Sequence, residues 1–511
     1  MNVSVHNKQI QATAADAIVV NLFEGVTRPG GATGAVDTAL GSADGIPGSG
    51  MISRLIQLGD FKGRLNEVAV IYTQGLIPAP RVILVGLGKS NEFSRDRVRQ
   101  VSGTAFRKAA ELGCRTVATI VHGAGVGGLD ARQAAEATVE GALLGTYSYR
   151  EYKTRDGEST PGAIETCLVV EYDASKLAEV EAGARSGAIL ARAINAARTL
   201  INRPPNALYP AAFADEAQAM AARVGLRCTV FAEKELAEHR MGGILAVGQG
   251  SQRPPRLVML EHAPEGVEGA PLVFVGKGVT FDTGGVSIKP SDGMSSMKGD
   301  MSGAAAVFGA MQAIAELKLP RRVIGLIPLA ENMPDGAAYR PGDVISMMSG
   351  LKVEIISTDA EGRMLLADAL HYAKQFNPSG VIDLATLTGA CVVALGEGVA
   401  AGLFANNEAW AETVLRAADA AGERMWRLPL YREYGEKIRS DSADIKNTGD
   451  RNGGVGTSAY FLYRFVEGEG EYPWAHVDMA GMMFSKENKG YQVKGGMGYG
   501  VRTLVELARQ S

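Results

Sequence analysis

Two stretches of this chain place charged residues where simple solvation does not require them. In "STDAEGRMLLADAL" (357–370), Asp359, Glu361 and Arg363 take alternate positions at the mouth of an apolar helix. In "VGKGVTFDTGGVSIKPSDGMSSMKGDMSGAAAV" (275–307), Lys277 directly follows an apolar strand, and Asp282, Lys289 and Asp300 are spread along a glycine-rich excursion. Each residue has an ordinary explanation. Thr358-x-x-Glu361 reads as a capping box, and acids suit the positive end of a helix dipole. Asp300 reads as the N-cap of a helix over 303–317, and the other three as loop charges. Jointly these explanations weaken, because both stretches leave predicted strands at the same end of one sheet.

If the four carboxylates converge, they repel one another strongly and need protons, cationic partners or bound cations. Two divalent ions about 3.5–4 Å apart, bridged by carboxylates, would satisfy them. Oxygen donors suit Mn²⁺ and Mg²⁺ and are compatible with Zn²⁺. A lysine desolvated beside metal ions can give up its proton and donate a lone pair, and a second, protonated one can polarise a carbonyl. The six histidines all lie outside both stretches, so ligation does not depend on them. Competing motifs fail in detail. After "VGK", Gly278 stands where a phosphate-binding loop needs Ser or Thr, and neither a Rossmann G-x-G-x-x-G here nor a G-x-S-x-G elbow is found.

The elements that must position these residues follow from the hydrophobic pattern. At 511 residues, two or three domains are expected. Hydrophobic content of 46% and charged content of 21% are those of a globular protein, and a net charge of −4 gives no general attraction to nucleic acid or anionic membrane. Four dispersed cysteines, Cys114, Cys167, Cys228 and Cys391, read as buried thiols of a reducing compartment. No signal peptide or membrane span is apparent, so a cytoplasmic protein is expected. Strands are predicted at 17–23, 67–73, 81–88 and 116–122, with a helix over 94–112. A separator at 159–166 leads to a long amphipathic helix that Pro204 and Pro205 end. Beyond it, strands are predicted at 256–262, 271–276, 322–330, 352–357, 380–387, 401–406 and 475–480, with helices at 303–317, 361–376 and 409–421. The fold class is α/β: an N-terminal α/β domain (1–172), a connecting helix (173–202), and a C-terminal domain (203–511) with a mixed, largely parallel sheet flanked by helices. In such sheets the binding crevice lies beyond the carboxyl ends of the strands.

From about residue 195 onward the chain resembles the leucyl aminopeptidases, the cytosol aminopeptidases of the M17 type. The family octapeptide N-T-D-A-E-G-R-L stands here as "STDAEGRM" (357–364), and "KGVTFDTGGVSIKP" and "MKGDMSGAAAV" match in the family spacing. "INRPPN", "DLATLTGA" and "AHVDMAG" follow as weaker landmarks in the same order. The resemblance implies that Lys277, Asp282, Asp300 and Glu361 hold one metal, and that Asp282, Asp359 and Glu361 hold the other. Lys289 would stabilise the oxyanion, Arg363 would hold a bicarbonate acting as general base, and Met297, Thr386, Leu387 and Gly389 would line the substrate site. It implies a peptide substrate with a free N-terminus whose α-amine coordinates a metal, and attack by a metal-bridging water. Two divalent ions per subunit are expected, Mn²⁺ ahead of Zn²⁺ or Mg²⁺, in a homohexamer whose N-terminal domain is macro-like and serves assembly or regulation. Some bacterial relatives bind DNA as the assembled particle, a role the net charge does not support here; a catalytically silent scaffold is the other alternative. Ser357 replaces the usual Asn, and Met364 for Leu nearly conserves volume.

Overall fold

The β-branched runs of the N-terminal region pair into one sheet. The computed structural model describes residues 1–41, 50–125, 127–154 and 163–510. Among them, six strands lie in the order Asn2–Asn7, Thr166–Glu171, Thr116–Ile120, Ala17–Leu22, Arg81–Gly86, Val68–Tyr72. All neighbours are parallel except the last pair. The first two strands were not anticipated, because "NVSVHN" is mostly polar and "TCLVVE" begins within the expected separator. The helices Arg95–Glu111 and Ala131–Gly145 start on the side chains of Ser94 and Asp130, which accept from the amides of Arg97 and Gln133. Between these helices the fully buried pair Arg99–Glu140 closes at 2.6 Å. Residues 159–162 of the expected separator lie outside the described residues.

The chain divides into two units, Met1–Arg192 with Lys486–Lys494, and Ala193–Ser485 with Gly495–Ser511. The segment Lys486–Lys494 belongs to the first because Tyr491 Oη donates to Asp96 at 2.9 Å and Arg107 Nη1 to the Gly490 carbonyl at 2.7 Å. The helix Leu177–Asn202 contributes residues to both units.

In the second unit a nine-stranded sheet runs Met425–Arg427, Ala401–Ala405, Trp474–Asp478, Gly380–Ala385, Leu272–Gly276, Val323–Asn332, Arg256–His262, Arg227–Phe231, with Gly278–Asp282 paired beside the end of Val323–Asn332. The four central strands are mutually parallel and buried throughout. Antiparallel partners flank them on both sides. Parallel centre strands bring Gly276, Asn332, Ala385 and Asp478 to one end of the sheet, where the next residue of each connection meets its neighbours. The helices Ser302–Glu316 and Gly362–Ala373 pack on this sheet through nearly wholly buried sequences. In the second, Met364, Leu365, Leu366 and Leu370 are completely buried, each contributing about 1.5–3 kcal/mol. Among the described residues, no helix is long and apolar enough to cross a membrane.

Two expectations need correction. The segment 352–357 is not a strand of the main sheet: only Lys352–Glu354 is extended, in a separate three-stranded sheet with Val344–Ser346 and Ile445–Lys446. Its short length and its two charged ends, Lys352 and Glu354, do not suit a buried parallel core, and it forms the middle strand of that small sheet instead. Cys228 is half-buried on the sheet-edge strand Arg227–Phe231, unlike the other three thiols.

A candidate metal centre

The charged residues of both stretches meet beyond the carboxyl end of the sheet. Lys277 is the single residue between the strands Leu272–Gly276 and Gly278–Asp282, and its amide donates to the Leu384 carbonyl at 3.0 Å. Asp282 ends the second of these strands, opposite Asn332. That strand was missed because "GVTFD" is short and only Lys277 separates it from the preceding strand. Asp300 closes the 3-10 turn Met294–Gly299, and Asp359 and Glu361 sit in the turn leading to Gly362–Ala373.

The ordinary explanations of these charges fail individually. Lys277, Asp282, Asp300 and Glu361 are each at most 4% exposed, so they are not loop charges. Met301, not Asp300, is the N-cap of Ser302–Glu316. The capping box does not form either. Thr358 Oγ1 donates to the Gly284 carbonyl at 2.6 Å and accepts from the Ser287 amide at 2.8 Å, while Glu361 itself occupies the N-cap with helical backbone and no side-chain cap.

Two lysines divide the cluster. Lys277 Nζ lies 2.8 Å from Asp300 Oδ2 and 2.9 Å from Glu361 Oε1, and donates to the Thr386 carbonyl at 2.9 Å. Lys289 Nζ lies 2.9 Å from Asp282 Oδ2 and 2.5 Å from Asp359 Oδ1. Burial pulls the Lys277 ammonium down, but Asp300, Glu361 and Asp282 together outweigh it and hold the group above its usual value. Lys289 behaves alike beside Asp282 and Glu361. Burial, reinforced by neighbouring carboxylates, raises Asp282, Asp300 and Asp359. Glu361 is also penalised by burial, yet Lys277 and Lys289 keep it below its usual value. Four acids and two ammonium groups thus share one site, in which Asp359 alone of the acids is exposed.

These residues fit metal ions. One oxygen each of Asp282, Asp359 and Glu361 lies within 4.8 Å of the other two. Glu361 Oε2 is buried without a hydrogen-bond partner, a costly state for a carboxylate oxygen unless a cation meets it. The donors are hard oxygens, as Mn²⁺, Mg²⁺ and Zn²⁺ accept.

Arg363 is buried beside the cluster, and burial lowers it to about 10 against the charges of Glu361, Asp478 and Asp359. Its Nη1 donates to the Asn447 carbonyl at 2.8 Å, and Nε has no partner. Asn447 also grips the motif, accepting from the Ile356 amide at 2.8 Å and donating to the Ser357 carbonyl at 2.7 Å. Ser357 Oγ accepts from the Asp359 amide at 3.2 Å, so the short side chain still braces the ligand turn.

Of the expected substrate-lining residues, Thr386 joins the cluster directly: its Oγ1 donates to Asp300 Oδ1 at 2.8 Å. Leu387 is half-buried, and Gly389 is exposed with no atom near the position of a Cβ. Their turn is held by buried Asp478, which accepts from the Leu387 amide at 3.3 Å and from Thr388 Oγ1 at 2.6 Å. Met297 lies half-buried in the 3-10 turn before Asp300. Sequence reasoning missed Asn332, Tyr339, Asn447 and Asp478. For Asn332 and Asp478 the available signal was a polar residue at the carboxyl end of a mainly apolar strand.

Comparison with known proteins finds similarity over nearly the whole chain. The model of the cytosol aminopeptidase family catalytic domain matches residues 195–505, and that of the family's N-terminal domain matches residues 20–156. A probable cytosol aminopeptidase of Geobacter sulfurreducens is 46% identical over 90% of this chain and 91% of its own. Among solved structures, the bottromycin maturation enzyme BotP in complex with Mn superposes with a TM-score of 0.84 at 36% identity, covering 97% of this chain and 99% of that one. A variant of tomato leucine aminopeptidase superposes with a TM-score of 0.87 at 31% identity, covering 100% and 97%.

Proposed function

This chain belongs to the cytosol aminopeptidase family of metal-dependent aminopeptidases, and from that membership we propose a binuclear enzyme that releases leucine and other apolar residues from the N-termini of peptides. The observation that carries this reading is the cluster of carboxylates itself, with the buried, unpartnered oxygen of Glu361. Asp282, Asp359 and Glu361 would hold one ion, and Lys277, Asp282, Asp300 and Glu361 would hold the other. Mn²⁺ leads, and Zn²⁺ and Mg²⁺ suit the same donors. When bound, the ions supply Lewis acidity, making a nucleophile of water at neutral pH and polarising the scissile carbonyl.

The chain's own residues do the rest. Lys277 would hold an ion as a neutral amine, its proton passing to solvent as the metal's charge replaces it against Asp300 and Glu361. Lys289 keeps its charge and donates to the developing oxyanion, where a preorganised donor in a water-poor site is worth far more than in solution. Arg363, fixed by the Asn447 carbonyl, presents a buried positive charge to a bicarbonate that would act as general base. Met297 and the turn Thr386, Leu387 and Gly389 receive the substrate. A homohexamer in the cytoplasm is the assembly and location that accompany this reading. Its competitor, DNA binding, finds no support in a net charge of −4.

Hydrolysis of a leucyl chromogenic amide, measured as purified, after chelation, and after restoring Mn²⁺ or Zn²⁺, tests the proposal. Activity lost on chelation and regained with metal is expected; no activity with any metal overturns it.

A further inference from the structure

Asn332 ends the strand Val323–Asn332 and is completely buried. Its Nδ2 donates to Asp282 Oδ1 at 2.8 Å and to the Thr358 carbonyl at 3.0 Å. Its own carbonyl accepts from the Thr283 amide at 3.1 Å and from Thr283 Oγ1 at 2.8 Å. One residue therefore ties together both ligand-bearing segments, which are far apart in sequence. The orientation of its amide follows from its neighbours: Asp282 Oδ1 and the Thr358 carbonyl are both acceptors, so the NH₂ group must face them. Gly285, at φ 63°, leaves room on the other side, where a Cβ would lie 2.8 Å from Asn332 Oδ1.

The consequence falls on Asp282. Its Oδ1 accepts from Asn332 Nδ2 and from the Gly284 amide, both at 2.8 Å. Both donors occupy the same oxygen, so Oδ2 is the one turned to the cluster, where Lys289 Nζ meets it. We propose that Asn332 is a positioning residue of the metal centre, which leaves Oδ2 as the Asp282 oxygen that would face the ions and locks the distance between the Asp282 and Asp359–Glu361 segments. The proposal rests on the binuclear reading above. A hydrogen-bond donor behind a ligating carboxylate fixes its orientation, and losing such partners typically weakens metal binding about 10–100-fold.

Tyr339 supplies the comparison. Its Oη donates to the same Thr358 carbonyl at 2.9 Å, and the bonds assigned to Asp282 Oδ1 do not include it. Three variants, Asn332→Leu (nearly isosteric), Asn332→Ala and Tyr339→Phe, are examined by thermal melting of the metal-free protein and by Mn²⁺ titration of the folded protein in a calorimeter. Both Asn332 variants are expected to bind Mn²⁺ about 10–100-fold more weakly, whereas Tyr339→Phe stays within a few-fold of the parent. Parent-like Mn²⁺ affinity in either folded Asn332 variant overturns the proposal. So does an equal loss in Tyr339→Phe, which would trace the effect to the Thr358 carbonyl alone. Failure of the parent protein itself to bind Mn²⁺ would instead overturn the binuclear reading.

Discussion

Gly362 lies against the side chain of Lys277, and a Cβ at position 362 would fall 2.6 Å from Lys277 Nζ. The first residue of the helix after the ligand turn thus fixes where the ammonium stands between Asp300 and Glu361. Gly362→Ala should fold, since alanine favours helix by about 1 kcal/mol over glycine and a lysine tip can swing aside. It should nevertheless lose at least ~10-fold in Mn²⁺ affinity, in the range seen when the partners of metal ligands are disturbed. Thermal melting beside metal titration checks this; parent-like metal binding would show that position 362 is indifferent to Lys277.

Lys289 bridges Asp282 and Asp359 and is assigned the oxyanion. Lys289→Ala should lower kcat by a factor on the order of 10²–10³ while leaving the metal content of the purified protein near normal. Steady-state kinetics with elemental analysis separates the two. A parallel loss of metal and turnover would make Lys289 a ligand instead.

Asp282 is assigned to both ions. Asp282→Ala should therefore lose bound metal as well as activity, measured by elemental analysis after equilibrium dialysis against Mn²⁺. Full occupancy in this variant would refute the ligand assignment.

A pH dependence arises away from the centre, at Asp368 on the helix Gly362–Ala373. Its carboxylate is fully buried and accepts from the amides of Gly243, Ile244 and Met348 at 2.7, 3.1 and 2.9 Å. Burial pushes it up to about 7, against the pull of those three donors. The unfolded value is near 3.9, so the folded state binds the proton more tightly. The group's contribution to stability is then complete below about pH 4 and is lost as pH rises towards about 7. Asp368→Asn should flatten that part of the profile, read as denaturant midpoints between about pH 5 and 7.5. Parallel profiles for parent and variant would contradict the raised value.

Much of this was legible in the sequence, for identifiable reasons. Strands such as Arg256–His262 and Leu272–Gly276 are apolar runs with clear ends, and the helix Ser302–Glu316 lies within a residue of its expected bounds. The convergence of Lys277, Asp282, Asp300, Asp359 and Glu361 could be suspected because charged residues followed buried strands. What could not be read was the support around them. Asn332 and Asp478 act through contacts made by residues distant in the chain, which no local period encodes. The capping box of Thr358 and Glu361 was a sound local inference that tertiary contacts overrode: the Gly284 carbonyl and Ser287 amide took the hydroxyl, and Lys277 took the carboxylate.

The division of the cluster between two lysines has a thermodynamic side. Lys277 lies 2.8 and 2.9 Å from Asp300 and Glu361, and Lys289 lies 2.9 Å from Asp282, so each ammonium shares the acids proposed to hold the ions. Metal uptake and proton binding therefore draw on the same groups, and loading with Mn²⁺ should acidify a weakly buffered solution and strengthen as pH rises.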